Sequence, residues 1–140
     1  MIALDTNVVS ETMRAAPNQD VVAWLNRQDI QTLHLTTTSL AELRLGIALL
    51  DAGRAKVDLS ERLERMLSVV FQGRLLPFTA DAAKAFADRM SVAKRNGRAV
   101  GFQDGMIAAS VAAAGFAIAT RDISPFEAMG LPVINPFESA

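Results

Sequence analysis

Short apolar runs in this chain alternate with longer stretches in which apolar residues recur at helical spacing. We interpret residues 1–4, 33–36, 116–119 and 131–134 as buried strands, and residues 74–77 as a further short extended piece. Apolar strands separated by helices are typical of a parallel sheet with helices on both faces. The pattern therefore predicts a three-layer α/β/α domain with a central, mainly parallel sheet of about five strands.

Capping residues and apolar periodicity predict the helices between these strands. Thr38 or Ser39 is expected to begin the second helix, and Asp58 the third. Thr79 is expected to cap the fourth helix, and Gly115 to end the fifth. The predicted helices cover residues 18–27, 39–53, 58–70, 80–95 and 103–114.

The bulk composition fits one soluble domain that spans residues 1–140. Hydrophobic residues make up 51% of the chain and charged residues 21%, as in a well-packed globule. The chain has no cysteine, which excludes disulfides, thiolate metal sites and a cysteine nucleophile. No apolar run approaches the roughly 20 residues of a membrane span, and Asp5 interrupts the apolar start that a secretory signal needs. We therefore expect a cytoplasmic protein with no membrane contact.

The charges of the chain are nearly balanced. A net charge of −1, from 14 Lys and Arg against 15 Asp and Glu, gives no global argument for nucleic-acid binding. Residues 94–98 form a small basic cluster, for which a solvated face is the simpler interpretation.

Four acidic residues lie where the predicted strands end or where the next helices begin. Asp5 follows the first strand directly, and Glu42 lies in the first turn of the helix after the second strand. Asp104 stands at the start of the Ala-rich helix, and Asp122 follows the strand at residues 116–119. Ligands of open α/β sheets bind beyond the carboxyl ends of the strands, so these four side chains are expected to meet.

Each of these acids also has a structural explanation of its own. Glu42 could complete a capping box by accepting a hydrogen bond from the backbone N–H of Ser39. Asp104 could complement the dipole of its helix. Asp5 and Asp122 could cap the helical turns that follow them. Taken singly, these explanations stay open.

The four acids are harder to explain together. Like charges about 4 Å apart repel by about 1 kcal/mol per pair in water, and by several times that near a protein surface. A hard divalent cation among the carboxylates would relieve this repulsion, because Mg²⁺ and Mn²⁺ prefer oxygen ligands. Such a site can activate a water and stabilise both oxygens of an in-line phosphoryl displacement.

The segments LDTNVVSE, SLAELRLGIALLDAGR and IAASVAAAGFAIATRD carry a resemblance to a known family. Together with LPFTADAAKAFADRM and the closing NPF, they make nearly the whole chain similar to the PIN domain, specifically to the VapC/FitB-like toxins of bacterial type II toxin–antitoxin systems. The resemblance implies a PIN-like fold and a Mg²⁺- or Mn²⁺-dependent endoribonuclease that hydrolyses RNA phosphodiester bonds with a metal-activated water. It also implies a homodimer held by a small VapB-like antitoxin.

The acidic motif residues of that family fall on Asp5, Glu42, Asp104 and Asp122, which are the expected catalytic and metal-binding residues. Asp5 and Asp104 are the expected direct ligands of the principal metal. Glu42 would ligate the metal or orient the attacking water. Asp122 would act through water or on a second ion.

Polar neighbours of these acids complete the expected site. Thr6 and Asn7 match the polar residues beside the first acid, and Thr120 and Arg121 match the pair before the fourth. Arg121 would bind an RNA phosphate or would merely pair with Asp122, and both interpretations are open.

The chain departs from many relatives at one place. Those relatives carry a further acid three residues after the position of Asp122, where this chain has Pro125. The site is therefore expected to depend more strongly on Asp122 itself. The only histidine, His34, lies inside a predicted strand, and we expect it to be structural.

Two other functions compete with the nuclease. The first is a catalytically silent PIN-like module that binds RNA or protein, which the four intact acids disfavour because an anionic pocket repels RNA. The second is a phosphatase or phospho-acceptor protein with Asp5 as nucleophile. That chemistry usually needs a second Asp or a Lys nearby, and the stretch from Asp5 to Asn7 supplies neither.

Overall fold

One five-stranded sheet lies at the centre of the computed structural model, which describes residues 1–138. Its strands are Ile2–Leu4 (β1), Leu33–Thr36 (β2), Leu75–Leu76 (β3), Ala117–Ala119 (β4) and Val133–Ile134 (β5). Their order is β3-β2-β1-β4-β5 and every neighbouring pair is parallel, which confirms the predicted sheet. The last two residues of the predicted domain, Ser139 and Ala140, lie outside the described part of the chain.

The central strands contribute to two hydrophobic cores, one on each face of the sheet. Leu4 and Ala119 belong to one core, whereas their neighbours Ala3 and Ile118 belong to the other. This alternation follows from the pleat, which directs successive side chains to opposite faces. Because both cores are apolar, the sheet is buried on both sides.

Helices cover both of these faces. Within residues 1–138 the α-helices are Thr6–Thr12 (α1), Gln19–Asn26 (α2), Thr37–Ala48 (α3), Arg54–Arg65 (α4), Ala80–Arg95 (α5), Phe102–Ala114 (α6) and Ile123–Ala128 (α7). Helix α4 continues into a π-helix, Met66–Phe71. Residues of α1 to α4 pack in the first core and residues of α5 to α7 in the second, which gives the three predicted layers. No helix of the described residues is long and apolar enough to cross a membrane.

Two helix starts differ from the prediction. Helix α3 is capped by Thr36, whose side-chain oxygen accepts a hydrogen bond from the Ser39 backbone N–H at 3.0 Å, so a cap at Thr38 or Ser39 is wrong. Helix α4 begins at Arg54, and Asp58 lies one turn inside it, 3.5 Å from Arg54 in an ion pair. Asp58 therefore does not open the helix.

The end of α3 also differs from the prediction. The helix ends at Ala48 rather than near Gly53. Leu50, at helical spacing from Leu43 and Ile47, suggested a longer apolar face, yet its exposed fraction is 38%. Leu50 does not belong to either core, so its apolar character does not extend the helix. By contrast, α5 has the predicted bounds and the predicted Thr79 cap.

Candidate active site

The four predicted acids line one open cleft of about 440 Å³ at the carboxyl edge of the sheet. The chain runs from β1 to β2 on one side of the sheet and later returns to β4 on the other side of β1. The ends of β1 and β4 thus form a point where the strand order reverses, which is the usual ligand position in open α/β sheets. Asp5 and Asp122 follow these two strands, while Glu42 comes from α3 and Asp104 from α6.

Asp5 is the most enclosed of these acids, with an exposed fraction of 5%. It is the N-cap residue of α1, and its carboxylate accepts hydrogen bonds from the Thr6 backbone N–H at 2.8 Å and the Thr120 hydroxyl at 2.8 Å. Burial raises the pKa of Asp5 from 3.8 to about 6, and the charges of Asp104 and Glu42 add to the rise. The two hydrogen bonds lower this pKa and partly oppose the effect.

Asp5 belongs to a small network of hydrogen-bonded polar side chains. The buried Thr120 hydroxyl donates to Asp5 and accepts from the Asn7 side-chain amide at 3.2 Å and the Asp122 backbone N–H at 3.0 Å. Asn7 also donates to Asp5 at 3.2 Å and accepts from the Arg121 backbone N–H at 3.2 Å. A hydroxyl offers one donor and two acceptor sites, so that of Thr120 is fully used. Thr120 and Asn7 therefore link α1 to the segment after β4.

Glu42 faces the cleft and does not close a capping box. Its Oε1 accepts a hydrogen bond from the Thr6 hydroxyl at 3.1 Å. The Ser39 backbone N–H, which a capping box would assign to Glu42, instead donates to Thr36. The capping explanation for Glu42 is therefore wrong, and Thr6 connects Glu42 to the end of β1.

The two remaining acids stand at helix starts. Burial raises the pKa of Asp104, in the first turn of α6, and the charges of Asp122 and Glu42 raise it further. Asp122 precedes α7, but its side chain makes no capping hydrogen bond, so the capping explanation for Asp122 is wrong. Charge repulsion between acids of this cleft therefore contributes to the raised pKa values of Asp5 and Asp104.

No lysine or arginine within residues 1–138 lies within 4.0 Å of any of these four carboxylates. Arg121, which is adjacent to Asp122 in the sequence, contacts Glu11 and Phe137 instead. Its Nη2 is 3.5 Å from Oε1 of Glu11, and its guanidinium carbon lies 3.9 Å from the centre of the Phe137 ring. The interpretation that Arg121 merely pairs with Asp122 is therefore wrong.

The comparisons with known proteins agree with this architecture. The family model of the PIN domain matches residues 2–130. The chain is 49% identical to the VapC ribonuclease Y4jK of Sinorhizobium fredii over 140 residues, which are 100% of both chains. It is 44% identical to toxin FitB of Neisseria gonorrhoeae, over 98% of this chain and 99% of that one. The chain belongs to the PIN-domain family of VapC and FitB toxins.

A solved structure of this toxin family has the same fold. The crystal structure of FitAcB from Neisseria gonorrhoeae superposes with a TM-score of 0.92 and 43% sequence identity, covering 99% of this chain and 100% of that one. The resemblance and the fold class predicted from the sequence are both confirmed.

The donor set of this PIN-domain cleft fits a hard divalent cation. Its acids offer carboxylate oxygens, and the hydroxyl oxygens of Thr6 and Ser10 line the same cleft. The mutual repulsion of the carboxylates contributes to the raised pKa values of Asp5 and Asp104. As the side chains stand, no three acidic or histidine side chains within residues 1–138 are grouped closely enough to hold an ion together. Mg²⁺ typically takes one or two carboxylates and keeps several waters, so it does not require such a group.

Three further residues line the cleft and were not predicted as site residues: Ser10, Glu11 and Arg14. Ser10 and Glu11 follow Asn7 at the spacing of one helix face, which places them together once α1 is recognised as a helix. This polar spacing was the feature of the sequence that could have predicted them as site residues. Arg14, by contrast, lies beyond the end of α1 at Thr12. His34 lies in β2 with its ring 4.6 Å from that of Phe116, and it does not line the cleft.

Proposed function

We propose that this toxin is a Mg²⁺- or Mn²⁺-dependent endoribonuclease that hydrolyses RNA phosphodiester bonds. The observation that carries the proposal is the group of four carboxylates that share one cleft, none of them within 4.0 Å of a lysine or arginine nitrogen in the described chain. An anionic pocket repels RNA by itself, and burial makes its ionised form costly. A cation bound among the carboxylates would offset both their repulsion of RNA and the cost of their ionisation.

The residues of the cleft have distinct roles in this proposal. A divalent cation bound there supplies the positive charge that activates a water and neutralises the phosphate. Asp5 and Asp104, whose ionised forms are disfavoured by burial, would hold the cation directly. Glu42, oriented by the Thr6 hydroxyl, would hold the cation or accept a proton from the attacking water. Asp122 is exposed and would act at longer range or on a second ion.

The supporting residues keep these carboxylates in place. Thr120 and Asn7 hold the Asp5 carboxylate through hydrogen bonds from both side chains. Thr120 also accepts a hydrogen bond from the Asp122 backbone N–H, so one hydroxyl contacts both Asp5 and the backbone of Asp122. Arg121, exposed at the rim, would bind an RNA phosphate.

Membership of the toxin family supports a proposal about the partners. We propose that the chain acts in the cytoplasm as a homodimer and that a VapB-like antitoxin neutralises it. Co-expression with the protein encoded beside it tests this part of the proposal, since the antitoxin should restore growth and co-purify with the toxin. A neighbouring protein that neither restores growth nor co-purifies would contradict this part.

The experiment that tests the activity is brief expression of the wild-type chain in a bacterial host, followed by sequencing of newly formed RNA ends. Asp5→Asn serves as the inactive variant, and Asp51→Asn, in the exposed connection between α3 and α4, is the matched control. We expect discrete new ends with the wild type and with Asp51→Asn, and none with Asp5→Asn.

Two outcomes would contradict the proposal. Identical RNA ends in all three strains, with the proteins folded and abundant, would favour a catalytically silent binding module. RNA cleavage by the purified wild type that persists in a chelator would exclude the metal-dependent mechanism.

A further inference from the structure

Glu11 is a fifth acid of the cleft, and among the cleft acids of residues 1–138 it alone is paired with arginines. Its side chain is 5% exposed. Arg14 Nη1 lies 3.4 and 3.3 Å from its Oε1 and Oε2, and Arg121 Nη2 lies 3.5 Å from Oε1. Oε2 also accepts a hydrogen bond from the Asn18 backbone N–H at 3.0 Å. Both oxygens of Glu11 are therefore occupied.

This pairing separates Glu11 from the four other acids. A buried carboxylate needs compensating partners, and Glu11 has two cations and a backbone N–H. The partners are themselves exposed, with side-chain fractions of 68% for Arg14 and 58% for Arg121. Glu11 thus forms ion pairs with two arginines, Arg14 and Arg121, at the exposed mouth of the cleft.

Arg121 is held at three points. Its backbone N–H donates to Asn7 at 3.2 Å, its guanidinium lies over the Phe137 ring at 3.9 Å, and Glu11 attracts its Nη2 from 3.5 Å. The contact with Glu11 engages only one side of the guanidinium, which carries five N–H donors. The remaining donors are available to a ligand, and a planar guanidinium suits a phosphate.

Glu11 also opposes a competing position of Arg121. The residues on either side of Arg121 belong to the site, since Asp122 lines the cleft and Thr120 binds Asp5. An arginine there is attracted to the four unpaired carboxylates. The ion pair with the buried Glu11 competes with this attraction: Arg121 Nη2 lies 3.5 Å from Glu11, whereas no nitrogen of Arg121 lies within 4.0 Å of the four other carboxylates.

We infer that Glu11 is a positioning residue: it holds the Arg121 guanidinium at the rim of the cleft, where Arg121 binds a phosphate of the RNA strand. The inference rests on the proposed function and adds a residue that the acidic motif does not contain. Glu11 itself touches neither the RNA nor the cation.

A double-mutant cycle tests this role. Glu11→Gln keeps an oxygen for the Asn18 backbone N–H and removes only the charge. It is compared with Arg121→Ala and with the double variant. The matched control is Asp58→Asn, which removes the same charge from the Arg54–Asp58 pair outside the cleft. Initial rates of cleavage of total bacterial RNA with Mg²⁺ are measured against RNA concentration, and thermal unfolding is recorded for each chain.

We expect each single substitution to lower kcat/KM about tenfold, and the double variant to be no worse than Arg121→Ala alone. Both substitutions should act mainly by raising KM, because the guanidinium is misplaced in Glu11→Gln and absent in Arg121→Ala. Asp58→Asn should match the wild type. An equal loss from Glu11→Gln with and without Arg121 would overturn the inference and leave a structural role. An increased Mg²⁺ requirement in both backgrounds would instead make Glu11 a metal ligand.

RNA affinity separates this inference from the proposed function. It is measured with labelled single-stranded RNA of random sequence, in chains that carry Asp5→Asn so that the probe stays intact. If the wild type cuts no RNA, the proposed function fails, but the inference still makes two predictions. Arg121→Ala should reduce the slope of log affinity against log salt concentration by about 0.7. Glu11→Gln should change the RNA affinity only while Arg121 is present. A Glu11 effect independent of Arg121 would overturn it here as well.

Discussion

The Asp5 carboxylate is buried next to other carboxylates, and its pKa of about 6 follows mainly from that burial. The charges of Asp104 and Glu42 contribute in the same direction. Hydrogen bonds from Thr120 and Thr6 favour the ionised form and limit the rise. With a pKa of about 6, Asp5 is mostly ionised at neutral pH, which a cation ligand requires. Without a cation, this ionisation destabilises the fold.

This residue leads to a prediction on pH. The folded chain holds a proton on Asp5 up to about pH 6, whereas an ordinary Asp releases it near 3.8. The stabilisation from that proton is fully present below about pH 4 and is lost as the pH rises through about 6, by roughly 3 kcal/mol. In a chelator we therefore expect Asp5→Asn to be more stable than the wild type at about pH 8, with a difference that shrinks as the pH falls.

Urea unfolding of both chains across this pH range measures the effect. The control is Asp51→Asn, because Asp51 is exposed and outside the cleft. Its difference from the wild type should not vary over this range in the same way. A pH-independent difference between Asp5→Asn and the wild type would contradict the prediction.

Among the elements, α1 and α3, which follow β1 and β2, both bring polar side chains to the cleft. Helix α1 carries Thr6 and Asn7 in its first turn and Glu11 near its end. Helix α3 carries Glu42, which Thr6 of α1 contacts directly. The start of α3 therefore decides where Glu42 stands, and Thr36 determines that start by capping it.

The cap of α3 leads to a second prediction. Thr36→Ala removes the acceptor for the Ser39 backbone N–H, and we expect the free energy of unfolding to fall by about 1 kcal/mol. Thr36→Ser should restore most of the loss, because its hydroxyl can make the same hydrogen bond. Thr38→Ala is the control: it should be neutral or slightly stabilising, since Thr38 caps nothing and Ala favours a helix. Urea unfolding compares the four chains, and an equal loss from Thr38→Ala would refute the assigned cap.

Over the whole molecule, the sheet order gathers charges that are far apart in the sequence. The Thr120 hydroxyl reaches Asp5 across 115 positions of the chain, and Thr6 reaches Glu42 across 36. The central place of β1 makes both contacts possible. The repulsion within the cleft is a property of the whole fold, because the unfolded chain separates these acids.

This repulsion leads to a third prediction. If the cleft binds Mg²⁺ or Mn²⁺, the cation should stabilise the folded chain by about 2.7 kcal/mol at a hundredfold excess over Kd. We expect Tm to rise with either cation and to fall back after addition of a chelator. Asp5→Asn and Asp104→Asn should lose most of this response, whereas Asp51→Asn should keep it. A cation response that is equal in all four chains would place the binding outside the cleft.

The amino-acid sequence by itself determined the local elements and the identity of the acids. Thr79 and the apolar spacing behind it predict α5 correctly, and the short apolar runs predict a parallel sheet. Both depend on neighbouring residues and on periodicity, which the sequence displays directly. The placement of Asp5 and Asp122 after strands likewise predicted that they would share an edge.

Only the tertiary structure decided how those side chains are paired. Leu50 looks like a core residue in the sequence, but it is 38% exposed and α3 ends at Ala48. Arg121 is adjacent to Asp122 in the chain but pairs with Glu11, which the fold brings to it. Burial, charge pairing and the ends of exposed segments depend on distant residues. Local sequence cannot specify them, because each is settled by which elements pack together.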